Sequence, residues 1–110
     1  RMLHQVLLNL LRNAAEAIPE EEPERLVHIS CCQERDLNTK EWAVIEIEDN
    51  GEGIPVVDLQ RIFIPFFTTK AQGHGIGLAL AHRVITEHGG TLVAGNAAAG
   101  GATFTVRLPL

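Results

Sequence analysis

The chain is expected to fold as an α+β domain, a two-layer sandwich in which a mixed, mainly antiparallel sheet carries helices on one face. Three observations predict this. Leu3, Val6, Leu7, Leu10, Leu11 and Ala14 recur at three- and four-residue spacing, which marks one apolar helix face. Two apolar, β-branched runs at 26–34 and 42–49 are separated by the turn-forming tract Asp36–Lys40. Near the C-terminus Ala102, Phe104, Val106 and Leu108 alternate with Thr103, Thr105 and Arg107, as on a half-buried strand.

Each element has a local reason. The first helix covers 2–18 and stops at Pro19, followed by the solvated turn Glu20-Glu21-Glu22-Pro23-Glu24. Strands follow at 26–34 and 42–49, and then the turn-rich loop Asp49-Asn50-Gly51-Glu52-Gly53-Ile54-Pro55. A short helix is expected over 57–62, with 63–67 as an apolar link. The second long helix spans 76–88 and is closed by Gly89-Gly90. Strands at 91–96 and 102–108 then form a hairpin around the small-residue turn 97–101.

Bulk properties narrow the function. With 110 residues the chain is expected to be one domain, 1–110. It carries 9 Lys+Arg against 14 Asp+Glu, a net charge of -5, which argues against a nucleic-acid surface. No apolar run reaches the ~18 residues of a membrane span, so this segment is expected to make no membrane contact. No secretory pattern opens the chain. Cys31 and Cys32 are sequence neighbours that a strand would point to opposite faces. They read as reduced packing residues of a cytoplasmic domain, since a zinc site needs further ligands at suitable spacing. The chain opens at Arg1-Met2-Leu3, already inside an amphipathic pattern, and so reads as a fragment of a larger protein.

Several constellations can carry chemistry. Gln5, Asn9, Asn13 and Glu16 form a polar stripe along one side of the first helix. An asparagine carbonyl is a hard, neutral oxygen donor suited to Mg²⁺, although a solvated helix face would show the same stripe. Asp49 ends the apolar face of its strand, with Ala43, Ile45 and Ile47 before it. A carboxylate there is costly to bury unless something donates to it, and an exocyclic amine such as adenine N6 would serve. Gly51 and Gly53 would let the backbone pass under a flat base; a plain Asp-Asn-Gly turn is the alternative.

Gly73-His74-Gly75-Ile76-Gly77-Leu78 leads directly into a helical pattern and follows Thr68-Thr69-Lys70. Such a loop can approach a ligand closely and aim unpaired N–H groups at an anion. It is no P-loop, because it ends Gly77-Leu78-Ala79 rather than Gly-Lys-Ser/Thr. It is no dinucleotide fingerprint either, because Leu78 stands where the third glycine belongs. Lys70 could reach a terminal phosphate as a mobile point charge or serve as an ordinary surface lysine.

In order along the chain stand Asn9–Ala17, Asp49-Asn50-Gly51-Glu52-Gly53-Ile54, Ile62–Lys70, Gly73–Ala79 and Gly101-Ala102-Thr103-Phe104. This series resembles the catalytic ATP-binding domain of sensor histidine kinases, in the GHKL superfamily shared with gyrase, Hsp90 and MutL. The blocks look like its N, G1, F, G2 and G3 boxes and span essentially the whole chain. Pro65-Phe66-Phe67-Thr68-Thr69-Lys70 looks most like the nitrogen-regulation type. The resemblance implies ATP and Mg²⁺ as cofactors. Asn13 would coordinate the metal, with Asn9 beside the phosphates. Asp49 would accept from the adenine amine, over a floor shaped by Gly51 and Gly53 with Ile54 packed nearby. Gly73, Gly75 and Gly77 would wrap the triphosphate, with the amides of His74, Ile76 and Leu78 as donors. Lys70 would lie near the terminal phosphate, and Thr103 would help position the base through Asp49 or a water.

Some positions depart from the pattern. ATPase relatives carry a glutamate four residues before the metal asparagine; here that position is Asn9, a poor general base, so steady hydrolysis is not expected. Many kinases place a basic residue where Glu16 stands, so Arg12 or Lys70 would carry that charge. Ala102 occupies a place where many relatives have Thr or Ser. None of His4, His28, His74, His82 and His88 has the acidic neighbour and following proline of a phosphoacceptor histidine, so the acceptor is expected upstream. His82 and His88 read as surface or interface residues.

The implied activity is transfer of the γ-phosphate of ATP to a histidine on the protein's own dimerisation domain. A response regulator would be the downstream partner and the full-length protein a homodimer, with its membrane anchoring left open. The alternatives are a GHKL ATPase, an anti-sigma-type serine kinase, and a nucleotide-binding module without activity.

Overall fold

The computed structural model describes residues 2–65, 67 and 77–110. The chain runs α1 (Met2–Ala17), β1 (Val27–Arg35), β2 (Glu41–Asp49), 3-10 turns at Val56–Asp58 and Arg61–Phe63, α2 (Gly77–Glu87), β3 (Thr91–Asn96) and β4 (Ala102–Pro109). The strands form one sheet in the order β1-β2-β4-β3. Every pairing is antiparallel, so the parallel component of a mixed sheet is absent among the described residues.

Both helices cover one face, as the periodicity requires. α1 buries Val6, Leu10 and Ala14, one residue per turn, and packs on β2. α2 buries Ala81, Val84 and Ile85 and packs on β3 and α1. Ile47 of β2, Leu92 of β3 and Phe104 and Val106 of β4 complete a single core.

The end of α1 is capped from a distance. The guanidinium of Arg25 donates to the carbonyls of Ala15 at 2.8 Å and Ile18 at 2.9 Å. A cation there also meets the negative end of the helix dipole. Arg25→Ala is expected to cost about 1 kcal/mol, or ~4 °C in thermal midpoint, checked by calorimetry of the two chains. The end of α2 is closed by its own backbone. Gly90 N–H donates to the Ile85 carbonyl at 2.9 Å and Gly89 N–H to that of Thr86 at 3.0 Å, the Schellman pattern. Gly89 has φ +81°, and a Cβ at Gly90 would stand 2.1 Å from the Arg107 carbonyl oxygen, so β4 abuts this turn directly.

On the outer face Trp42 gathers a polar cluster. Its indole N–H donates to Asp36 at 2.9 Å, and Lys40 and Arg107 lie 5.1 and 5.9 Å from its ring. That indole bond, aided by the amides of Lys40 and Asn38, holds the Asp36 carboxyl below its ordinary value of 3.8. Arg107 also pairs with Glu34 at 2.7 Å.

Two expectations need correction. The short helix over 57–62 is instead a pair of 3-10 turns, closed by i+3 bonds such as Asp58 N–H to Pro55 and Ile64 N–H to Arg61, both 2.8 Å. The β-branched pair Val56-Val57 is exposed there, so no apolar face stabilises a longer helix. Cys31 and Cys32 are free thiols and both exposed, not packing residues. β1 is an edge strand and the helices lie over its neighbours, leaving even Ile29 51% exposed.

Candidate functional site

The site is built where β2 ends against the C-terminal turn of α1. Asp49 is the sole buried charged side chain among the described residues, 3% exposed. Its Oδ1 accepts from the N–H of Gly51 at 2.8 Å and of Ala102 at 3.2 Å. Its Oδ2 is buried with no hydrogen-bond partner. An orphaned carboxylate oxygen is expensive in a protein interior, and the cost is removed by a ligand that donates to it.

The loop that follows is held closely. A Cβ at Gly51 would stand 2.3 Å from the Ala17 carbonyl oxygen, so the loop runs against the end of α1. Asn50 ties it to the segment before β1, donating to the Glu24 carbonyl and accepting from Leu26 N–H at 3.0 Å. Gly53 has φ +80°, and a Cβ there would meet the Gly100 carbonyl oxygen at 2.6 Å. The Asn96 side chain grips Ile54 at two points, accepting from its N–H at 2.7 Å and donating to its carbonyl at 2.8 Å. Ile54 is half-buried against the core.

Asn9 and Asn13 lie one turn apart on α1, both half-buried, while Arg12 is exposed. Among the described residues no three His, Cys, Asp or Glu side chains converge as a metal site. Neutral amide oxygens beside a phosphate-bearing ligand would suit a cation that arrives with that ligand and keeps most of its waters. Gly77 opens α2, where an added Cβ would meet nothing within 4 Å among the described residues, and Leu78 is half-buried against the core. Lys70, Gly73, His74, Gly75 and Ile76 lie outside the described residues, as do Phe66, Thr68 and Thr69.

Thr103 stands on the face that its alternation with Ala102 predicts. It pairs with Glu48 in the sheet, on the face opposite Asp49, and the Asp49 contact comes from the main-chain N–H of Ala102. His82 is half-buried, its ring 4.9 Å from that of Phe63. An open groove of about 460 Å³ beside it, lined by Leu59, Phe63, Leu92 and neighbours, contains none of the candidate residues.

Asn50, Gly101 and Ala102 fall in the sequence blocks without a role of their own, and Asn96 lies outside those blocks. Three of them act through main-chain atoms or fit the generic signal of a turn residue. The β2–β4 register brings Ala102 to Asp49, and the β3–β4 register sets Asn96 beside Ala102.

Fold and site together define a two-layer α+β domain with a buried acceptor presented to a ligand at one end of its sheet. The protein-family model for histidine kinase-, DNA gyrase B-, and HSP90-like ATPases matches residues 1–110. The chain is 40% identical over 108 residues to the sensor histidine kinase ZraS of Escherichia coli (strain K12), covering 98% of this chain and 22% of that protein. It is 44% identical over 109 residues to the signal transduction histidine-protein kinase AtoS of the same organism, covering 99% of this chain and 17% of AtoS. It thus spans about a fifth of the length of these curated relatives. Among solved structures a mycobacterial sensor histidine kinase, MprB, superposes with a TM-score of 0.84 at 31% identity, over 98% of this chain and 70% of that one. The chain belongs to the histidine kinase-, DNA gyrase B- and HSP90-like ATPase family, as a catalytic ATP-binding domain of the sensor-histidine-kinase kind.

Proposed function

We propose that this chain binds Mg·ATP and presents the γ-phosphate to a histidine on the dimerisation domain of the same, longer protein, a homodimeric two-component kinase of the nitrogen-regulation type. The observation that carries the reading is the buried, unpartnered Oδ2 of Asp49, flanked by Gly51 and Gly53. A carboxylate acceptor favours the exocyclic amine of adenine over the carbonyl that guanine offers at the same position. Asn13 holds the metal and Asn9 lies beside the phosphates. The glycines at 73, 75 and 77, with the amides of His74, Ile76 and Leu78, wrap the triphosphate, and Lys70 or Arg12 supplies positive charge. Bound Mg²⁺ would neutralise phosphate charge; the chain's own contribution is to position ATP and exclude water. Asn9 stands where a hydrolytic base would be needed, which favours transfer over hydrolysis. A response regulator then takes the phosphoryl group, and the domain works on the cytoplasmic side.

The test is labelling of the full-length protein with γ-labelled ATP. Acid-labile label on a histidine is expected, falling about ten-fold or more in Asn13→Ala with loss of its Mg²⁺ dependence. Acid-stable phosphoserine, or phosphate release without labelled protein, would overturn the reading in favour of a serine kinase or an ATPase.

A further inference from the structure

The rung of the sheet that joins β3 to β4 at its tip has a role that none of the nucleotide residues accounts for. Asn96 and Ala102 face each other on this rung. Ala102 N–H reaches Asp49 at 3.2 Å, at the start of the loop after β2. Asn96 reaches Ile54 at 2.7 and 2.8 Å, at the loop's far end. One rung therefore braces both ends of the segment that runs from the buried carboxylate to Ile54. Loop and hairpin tip also touch at Gly53, where a side chain would collide with both Gly100 and Asn96.

We infer that Asn96 is a positioning residue for base recognition: its amide fork fixes Ile54, and so sets the loop that presents Asp49 to adenine. The inference rests on the ATP reading above. The chemistry favours an asparagine. Ile54 offers one N–H and one carbonyl, and a primary amide is a side chain that matches both at once. Asn96 is itself exposed, so the fork is not needed to satisfy a buried group. Its effect is to remove alternative conformations of the loop before ligand arrives, which strengthens binding by lowering the ordering cost. Alanine leaves the Ile54 groups to water and the loop free at one end. Aspartate keeps the acceptor for the N–H but sets a second carboxylate oxygen against the Ile54 carbonyl.

Binding of ATP and GTP to the wild-type chain, Asn96→Ala and Asn96→Asp, each with Mg²⁺, tests this by titration calorimetry. ATP affinity is expected to fall about ten-fold in both variants, ~1.4 kcal/mol, as alanine loses both hydrogen bonds and aspartate loses one and sets an oxygen against the Ile54 carbonyl. GTP affinity, set by the phosphates alone, should stay the same, so the ATP-to-GTP ratio falls with it. A merely structural role would weaken both nucleotides by one factor, and that result overturns the inference. So does ATP affinity within about two-fold of wild type in both variants. Should Asn96→Ala melt below the assay temperature, Asn96→Asp carries the comparison. A wild-type chain that binds ATP and GTP alike overturns the adenine reading itself. A wild-type preference for ATP with unaffected variants overturns the role of Asn96 alone.

Discussion

Asp49→Asn is expected to lower ATP affinity about a hundred-fold or more while leaving the chain folded. The side chain keeps an oxygen for the N–H groups of Gly51 and Ala102, now at 2.8 and 3.2 Å from Oδ1. At the position of the orphaned Oδ2 it places an amide N–H. That donor faces the amine donor of adenine, and a buried donor left without an acceptor costs ~1–3 kcal/mol beyond the bond it replaces. A site built to hydrogen-bond its ligand rejects a mismatched partner by large factors for this reason. The same amide suits the carbonyl of guanine, so the ATP-to-GTP ratio should fall further than ATP affinity alone. Without nucleotide, the variant should melt within a few degrees of wild type, because one unpartnered buried polar group, Oδ2, is exchanged for another, the amide N–H. Titration calorimetry and thermal melts read these outcomes together. Unchanged ATP affinity in a folded variant would rule out Asp49 as the base acceptor.

Gly101→Ala should be the most destabilising of the small substitutions. An added Cβ would stand 1.7 Å from the Asp49 carbonyl oxygen, 2.7 Å from its carbon and 3.0 Å from the Asn50 Cα. All three are backbone atoms, so no flexible side chain can move aside, and β2 and β4 must separate at this point. Overpacking costs typically 1–3 kcal/mol, and a clash this deep should reach about 3 kcal/mol or more. That corresponds to a fall of ~10 °C or more in thermal midpoint. Gly77→Ala is the control: its Cβ meets nothing within 4 Å among the described residues, and alanine suits a helix better. A midpoint for Gly101→Ala within about 2 °C of wild type would show that the strands can part without cost.

The sequence carried the helices and most of the strands because their patterns are local. Val6, Leu10 and Ala14 announce the buried face of α1, and the alternation from Ala102 to Leu108 announces β4, as both elements bear out. The two 3-10 turns were illegible, because apolar residues at 56–63 look helical until their exposure is known. The exposure of Cys31 and Cys32 follows from which strands the helices cover, and a single strand's pattern does not contain that. At the site, Asp49 stood out as a charge ending an apolar strand face. The braces around it were hidden: β2 pairs with β4 across about fifty intervening residues, and only this pairing puts Ala102 beside Asp49 and Thr103 on the far side. A long-range register decides such contacts, whereas spacing within one element decides the helix stripe.

The two ends of α2 are held very differently. Its last turn is locked by the Gly89-Gly90 closure and lies so tightly on β4 that Gly90 has no room for a side chain. At Gly77 a further methyl group would meet nothing within 4 Å among the described residues. The helix is thus fixed by main-chain contact at Gly90 and by the buried side chains Ala81, Val84 and Ile85 along its length.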